Sequence, residues 1–382
     1  MSETTYEYSP GLAGVPCAKS SVCYLDGSIG KLQYRGYPIE ALAESCTYEE
    51  VAHLLLIGEL PKAAELAAFD ALLRKARAVP ATVLGTLKSL PATTHPMTAL
   101  SIGVSSLAAH IHGDHQKSAA FRRDAAIQLV AKLPTIVAAW ERVRSGKEPI
   151  SPNSALAHAA NFLYMLDGKE PDALVAHTMD VALVLHAEHQ MNASTFAARV
   201  TGSTLADPST TMASAIGALS GPLHGGANEE VLKMIATIPA SSPDTIRAWA
   251  EDRLAKKAKI SGFGHREYKV KDPRASILQN LSMQVFAKFG ATPDYGMATE
   301  LEKQMATLTG AKGVYPNVDF YSGILYSKLG IATDLFTPIF AIARISGWLA
   351  HWLEQLEDNR IFRPNQIWTG SADRNVTQLA AR

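Results

Sequence analysis

Cysteine is scarce in this sequence. The three that occur, Cys17, Cys23 and Cys46, lie near the start of the 382-residue chain and form no Cys-X-X-Cys pair. An odd and sparse count of this kind argues against a disulfide framework and against a structural zinc site. The cysteine content therefore favours a protein of a reducing compartment, and we expect a cytoplasmic location.

The chain also lacks net charge, because 36 Lys and Arg residues balance 36 Asp and Glu residues. Charged residues make up 19%, below the roughly 25% of typical soluble domains. A neutral chain has no overall field to attract nucleic acid or an anionic membrane, so neither partner is expected. With 47% hydrophobic residues, the chain can bury a large core, and disorder of its bulk is excluded.

Long apolar runs and a leader segment are missing as well. The start, Met1–Thr5, is polar, so no signal peptide is expected. Apolar stretches such as Leu335–Ala343 are interrupted well short of the about 18 residues that a membrane span needs.

What is present is mostly helical periodicity. Only the start resembles a sheet, since Ser21–Leu25 and Lys31–Tyr34 flank a glycine-containing loop and predict a β-hairpin. Thr47–Glu50 is a capping-box pattern that opens a helix ended by Gly58. Further helices are predicted at Ala155–Leu166, Pro171–His189, Thr210–Ser220, Ser242–Lys259, Ser276–Phe289 and Leu335–Leu356. The predicted fold class is mainly α with a small N-terminal hairpin.

Basic residues cluster between Arg253 and Arg274, where eight Lys or Arg residues accompany only two acids. A solvated helix face is one interpretation. The other is an anion site, because the glycines of Ser261–Gly264 would let backbone N–H groups approach a phosphate or carboxylate, and His265 follows directly.

Two further polar residues stand in small or apolar surroundings. His224 lies in a glycine-rich break after an apolar helix, where it is either a helix cap or a catalytic imidazole. Asp319 has aromatic and apolar neighbours, which raise the pKa of a carboxyl group and suit it to act as a base; a helix cap is the alternative. The pair His186 and His189 lacks the spacing of a zinc-protease helix and has no further ligand nearby, so no metal site is expected.

Long motifs in a fixed order resemble the citrate synthase family over nearly the whole chain. They are Leu32–Gly36, His186–Ser194, Gly221–Asn228, Gly262–Lys269, Asp272–Arg274, Pro316–Gly323, Ala343–Trp348 and Arg363–Pro364. The resemblance implies a two-domain, all-helical homodimer, or a larger homo-oligomer, with the active site in a cleft. The large domain would comprise residues 1–225 and 331–382, and the small domain residues 226–330.

The resemblance also implies an acyltransferase that condenses acetyl-CoA with oxaloacetate to citryl-CoA, which is hydrolysed to citrate and CoA. By position, Asp319 resembles the base that deprotonates the acetyl methyl group, His224 the donor to the thioester oxygen, and His265 the group that polarises the oxaloacetate carbonyl. Four residues resemble those that hold oxaloacetate carboxylates, the last of them reaching across from the neighbouring subunit: His189, Arg274, Arg344 and Arg363.

The basic cluster corresponds to the region in which the family binds CoA. The resemblance also implies that no metal or redox cofactor is required. The expected CoA contacts are Lys256, Lys259, Gly262, Gly264, Lys269 and Lys312. Two alternatives remain open. One is 2-methylcitrate synthase, which shares these motifs and takes propionyl-CoA; the other is a non-catalytic helical protein that binds CoA or a dicarboxylate. The apolar helix at Leu335–Leu356 is further expected to form an obligate subunit interface.

Overall fold

The computed structural model of the chain describes residues 7–371 and 374–381. The Met1–Thr5 segment, for which no signal peptide is expected, lies outside the described residues. Within them the regular structure comprises sixteen α-helices, several short 3₁₀ turns and one sheet of three short strands. The predicted fold class, mainly α with a small N-terminal hairpin, is confirmed. No described helix is long and apolar enough to cross a membrane.

The sheet is the predicted hairpin with one strand added. Strand β1 (Cys23–Asp26) pairs antiparallel with β2 (Lys31–Tyr34), in a register that places Cys23 opposite Tyr34. The strand β3 (Tyr37–Pro38), which sequence analysis did not predict, pairs with the end of β2.

The helices begin where local sequence satisfies their first N–H groups. Thr47 forms the predicted capping box with Glu50, and Gly58 ends that helix in a left-handed conformation. Proline occupies the first turn of five helices, where its missing N–H is no loss. The first eight helices are α1 (Ile39–Ser45), α2 (Tyr48–Ile57), α3 (Ala63–Ala76), α4 (Ala81–Ser89), α5 (Pro96–Ser106), α6 (Ala119–Arg144), α7 (His158–Asp167) and α8 (Ala173–His186). The others are α9 (Ala193–Ser203), α10 (Pro208–Leu219), α11 (Ala227–Ile235), α12 (Pro243–Ala255), α13 (Pro273–Phe289), α14 (Pro293–Thr309), α15 (Val318–Lys328) and α16 (Phe336–Gln355).

Helix α16 lies at the centre of the core. It packs against α2, α6, α8, α9 and α10, and Trp348 and Trp352 are completely buried by the chain itself. The expectation that this helix forms a subunit interface is therefore wrong. Its apolar character reflects burial on all sides within one chain, a pattern that sequence alone does not distinguish from a helix covered by a partner.

Helices α11 to α15 form a second packed group, in which α11 and α13 contact α15 and α12 contacts α14. The loop between α12 and α13 reaches back to the hairpin, where the backbone N–H of Lys269 donates to the carbonyl oxygen of Gly27 over 2.8 Å. A Cβ atom at Gly27 would lie 2.1 Å from the carbonyl oxygen of Glu267, so only glycine permits this approach. The hairpin tip thus holds the loop that carries His265.

Candidate active site

A cavity of about 1140 Å³ opens between the second group of helices and the rest of the chain. Its walls bring together six of the seven residues to which sequence analysis assigned catalysis or oxaloacetate binding. These are His189, His224, His265, Arg274, Asp319 and Arg344. Residues 11–18 close another side, which sequence analysis did not foresee because this segment carries no motif.

His224 is fixed by Ser194, the second residue of α9. The backbone N–H of Ser194 lies 3.2 Å from His224 Nε2, and the Ser194 hydroxyl lies 2.8 Å from the same nitrogen. Because a backbone N–H can only donate, Nε2 accepts and the ring proton resides on Nδ1. Burial lowers the pKa of His224 to about 4, so the ring is a neutral donor at physiological pH. Helix α10 ends at Leu219, and His224 does not cap it.

His265 shows the same arrangement on the opposite ring nitrogen. Its Nδ1 accepts from the backbone N–H groups of Glu267 at 3.0 Å and Tyr268 at 3.2 Å. The proton therefore resides on Nε2. Burial and the nearby Arg274 guanidinium lower the pKa of His265 to about 4. His224 and His265 are thus both neutral imidazoles, each with one N–H group available as a donor.

Asp319 occupies the second position of α15, and its own N–H donates to the side chain of Asn317 over 3.0 Å. Asn317 is therefore the cap of this helix, and the interpretation of Asp319 as a cap is wrong. Burial raises the pKa of Asp319 to about 6, although Arg274 acts in the opposite direction. A carboxylate with a raised pKa is a stronger base that is still ionised at neutral pH.

The glycines of the predicted anion loop hold this helix start in place. The N–H of Asn317 donates to the Gly262 carbonyl, and its side chain donates to the Gly264 carbonyl, both over 2.9 Å. The Gly264 N–H donates to the carbonyl of Tyr315 over 2.8 Å. That amide is thus already engaged within the chain, and the anion site of this loop stays a prediction.

Arg274 and Asp272 form a buried ion pair at the start of α13. The guanidinium donates to both carboxylate oxygens, with Nη2–Oδ2 2.7 Å and Nε–Oδ1 3.0 Å, and both residues are at most 2% exposed. Asp272 also caps α13. Burial would lower the pKa of Arg274, but the Asp272 carboxylate outweighs it and the pKa is raised. The pair keeps a charged guanidinium oriented at the cavity wall.

Arg344 approaches from α16. Its Nε donates to the carbonyl of His186 over 2.8 Å, and its guanidinium lies 4.6 Å from the centre of the Phe340 ring. Together with Arg274 it gives the cavity two buried cations, which suits a ligand with two carboxylates. His189 lines the same cavity, and its pKa is lowered well below the usual value by burial and by Arg274.

Of the predicted CoA contacts, the four lysines lie at the surface rather than on the cavity wall, whereas Gly262 is buried and Gly264 half-buried. Lys256, Lys259, Lys269 and Lys312 are all exposed, and Lys256 is paired with Asp252 at 2.8 Å. The backbones at Lys269 and Gly313 pack closely, since a Cβ atom at Gly313 would lie 2.9 Å from the Lys269 carbonyl oxygen. Whether these residues bind CoA stays a prediction.

Arg363 is exposed in the segment after α16 and does not line the cavity of its own chain. Sequence reasoning also missed three residues that orient the site, namely Asn192, Ser194 and Tyr268. All three lie within the motifs His186–Ser194 and Gly262–Lys269, so that signal could have found them; the contact of Ser194 with Trp348 Nε1 at 3.1 Å could not have been foreseen.

No group of three or more His, Cys, Asp or Glu side chains in residues 7–371 and 374–381 is arranged to hold a metal ion. His186, half of the pair considered for a metal, places its Nδ1 2.7 Å from the Ala182 carbonyl of its own helix. The cavity instead combines a carboxylate base, two neutral imidazole donors and two guanidinium groups. This set can remove a proton beside one carbonyl, stabilise the resulting oxyanion, and hold a second, dianionic reactant.

Comparisons with known proteins agree with this chemistry. A family model described as citrate synthase, C-terminal domain, matches residues 11–365. The chain is 52% identical to a citrate synthase of Synechocystis over 98% of its own length and 94% of the relative. It is 45% identical to that of Deinococcus radiodurans, covering 97% and 98% of the two chains.

Solved structures resemble the whole chain. The crystal structure of citrate synthase from Pyrobaculum aerophilum superimposes with a TM-score of 0.92 at 40% identity, covering 97% of this chain and 94% of that one. A ternary complex of citrate synthase from Thermoplasma acidophilum with carboxymethyl coenzyme A and oxaloacetate gives a TM-score of 0.92 at 31% identity, covering 98% and 100%.

Proposed function

The chain belongs to the citrate synthase family and condenses acetyl-CoA with oxaloacetate and water to citrate and CoA, and we propose that Asp319, His224 and His265 carry out the condensation. The methyl group of a thioester is a weak acid, so a carboxylate alone deprotonates it poorly. Asp319 takes this proton while the Nδ1–H of His224 donates to the thioester oxygen, where negative charge develops.

The second reactant is activated by the other imidazole. The Nε2–H of His265 donates to the oxaloacetate carbonyl and makes its carbon more electrophilic. The enolate carbon then attacks this carbon, and the carbonyl oxygen takes up a proton as its double bond opens, which gives citryl-CoA. Water then cleaves the thioester, and CoA leaves as the thiol. Arg274, Arg344 and His189 hold the two carboxylates of oxaloacetate. A relative with 31% identity that was solved with oxaloacetate and carboxymethyl coenzyme A supports this choice of ligands.

One observation carries the assignment of roles. Both histidines have low pKa values, and in each a backbone N–H fixes the nitrogen that accepts, so that the other nitrogen must donate. With these pKa values, neither histidine is protonated at the neutral pH at which Asp319 is an ionised base. Neutral donors aimed at two carbonyl oxygens fit a condensation of two carbonyl compounds. The reaction itself transfers no electrons, and we propose that it uses no metal or redox cofactor.

The pH dependence of activity is expected to report Asp319. The base must be ionised, and with a pKa of about 6 it becomes protonated as the pH falls through that value. We expect kcat/KM for acetyl-CoA to decrease about tenfold for each pH unit below the pKa of Asp319. His224 and His265, with pKa values of about 4, remain neutral over the same range. Initial rates between pH 5 and 8, with recovery of activity on return to pH 8 as control, test this; a kcat/KM that stays constant down to pH 5 would contradict it.

Acetyl-CoA is expected to be preferred over propionyl-CoA. One additional methyl group is worth only about 1–3 kcal/mol in an apolar pocket, so a measurement must decide. Release of free CoA, followed with a thiol reagent, gives kcat/KM for both thioesters. A preference for propionyl-CoA above roughly tenfold would identify a 2-methylcitrate synthase, and binding of CoA without thiol release would identify a non-catalytic protein.

We further propose that the enzyme is a homodimer in which Arg363 completes the oxaloacetate site of the partner. Arg363 is exposed and does not line the cavity of its own chain, which supports this proposal. Mixing inactive Arg363→Leu chains with inactive Asp319→Asn chains should then restore about a quarter of the wild-type sites, since one site of each heterodimer regains both groups. Verified heterodimers without activity would show that Arg363 serves its own subunit.

We also propose a cytoplasmic location. All three cysteines are free thiols in the structure, which is the usual state in a reducing compartment.

A further inference from the structure

Tyr268 lies directly behind two of the histidines of the site. It is 2% exposed and does not line the cavity, so it cannot touch a substrate there. Its hydroxyl lies 3.3 Å from His189 Nε2, and its backbone N–H donates to His265 Nδ1 over 3.2 Å. The His189 and His265 rings meet edge to face with centroids 5.2 Å apart, and the Tyr268 ring centre lies 4.7 Å from that of His265. One residue therefore contacts both histidines.

The hydrogen bond between Tyr268 and His189 can run in either direction, and its direction decides the tautomer of His189. Burial raises the pKa of the Tyr268 phenol, which stays protonated, while His189 stays neutral. A phenol that donates to Nε2 leaves the His189 proton on Nδ1. Among the described residues, no other hydrogen bond reaches the His189 ring. Asn192, which lies nearby in sequence, donates only to the backbone carbonyl of His189. Without the phenol, the ring would be free to rotate or to change tautomer.

We infer that Tyr268 is a positioning residue, which orients His189 through its hydroxyl and thereby sets the affinity for oxaloacetate. Its backbone amide simultaneously fixes the donor nitrogen of His265. The two histidines come from different parts of the chain, since His189 follows α8 and His265 lies in the loop held by the hairpin tip. Tyr268 makes their correct orientation depend on the docking of that loop. The inference rests on the proposed function, because oxaloacetate is the ligand on which it acts.

Tyr268→Phe tests the inference, since it removes only the hydroxyl and keeps the buried ring. We expect KM for oxaloacetate to rise about tenfold, the loss of one hydrogen bond to a binding group, while kcat changes less than threefold. The dissociation constant of oxaloacetate from calorimetry, without acetyl-CoA, should rise in parallel. Tyr315→Phe is the matched control, because it removes a phenol that donates to the Gly310 carbonyl over 3.0 Å and lies off the cavity wall; its KM should equal that of the wild type.

A double-mutant cycle shows whether Tyr268 acts through His189. In a His189→Ala background, Tyr268→Phe should have no further effect on KM. An equal rise in that background, an unchanged KM, or a loss confined to kcat and melting temperature would each overturn the inference. If the wild type itself neither binds oxaloacetate nor releases CoA, the proposed function fails instead, and the two failures are therefore distinguishable.

Discussion

Asp319→Asn is expected to lower kcat about 10³-fold, within the range that a general base contributes. Asparagine keeps the size and the helix position but cannot accept the methyl proton. The affinity for oxaloacetate should change little, because the effect falls on the transition state. The fold should survive, since burial already raises the pKa of Asp319 and thus opposes its charged form.

Asp294→Asn provides a matched control for this substitution. Asp294 occupies the second position of α14, as Asp319 does in α15, but it is exposed and lies off the cavity wall. Any effect of removing negative charge from a helix N-terminus is therefore common to both variants. Steady-state rates should be normal for Asp294→Asn. If Asp319→Asn kept a tenth or more of the wild-type kcat, the base would have to be another group.

Arg274→Leu is expected to raise KM for oxaloacetate about 10²-fold, since it removes a buried guanidinium that binds a carboxylate. The structure adds a second effect that the motif did not indicate. Asp272 loses its ion-pair partner and stays buried, which should lower the free energy of unfolding by about 3–5 kcal/mol. Urea unfolding and initial-rate kinetics on the same preparation measure the two effects.

The double variant Asp272→Asn/Arg274→Leu separates binding from stability. Asparagine caps a helix about as well as aspartate, so the start of α13 is kept while the unpaired charge is removed. We expect the double variant to recover much of the lost stability but none of the lost affinity. Recovery of KM in the double variant would contradict a direct contact between Arg274 and oxaloacetate.

Local signals in the sequence predicted the hairpin and several of the helices, but not, for example, α6, α9 or α14. Thr47 and Glu50 form their capping box within one turn of chain, and in the loop between β1 and β2 the N–H of Ser28 donates to the Asp26 side chain. The site residues were found for a related reason. His265 and Asp319 each lie within a short motif whose neighbours hold them, whereas His224 lies in a motif but is held by Ser194 of another one.

Contacts between distant segments could not be predicted in this way. Nothing in the sequence near α16 says whether its apolar surface is covered by the same chain or by a partner. The Tyr268 hydroxyl meets His189 across 79 positions of chain, and the segment 11–18 reaches the cavity without any motif. The Gly264 amide looked available because its acceptor, the Tyr315 carbonyl, lies on another loop.

The contact at Gly27 constrains how this protein can change during evolution. Main chain meets main chain there, so any side chain at position 27 would collide with the Glu267 carbonyl. A single substitution of Gly27, far from the catalytic groups in sequence, would thus keep the His265 loop from docking on the hairpin while every catalytic residue is retained. A descendant with this change would keep the full motif set of the family and still be a poor catalyst, and its motifs alone would not reveal the loss.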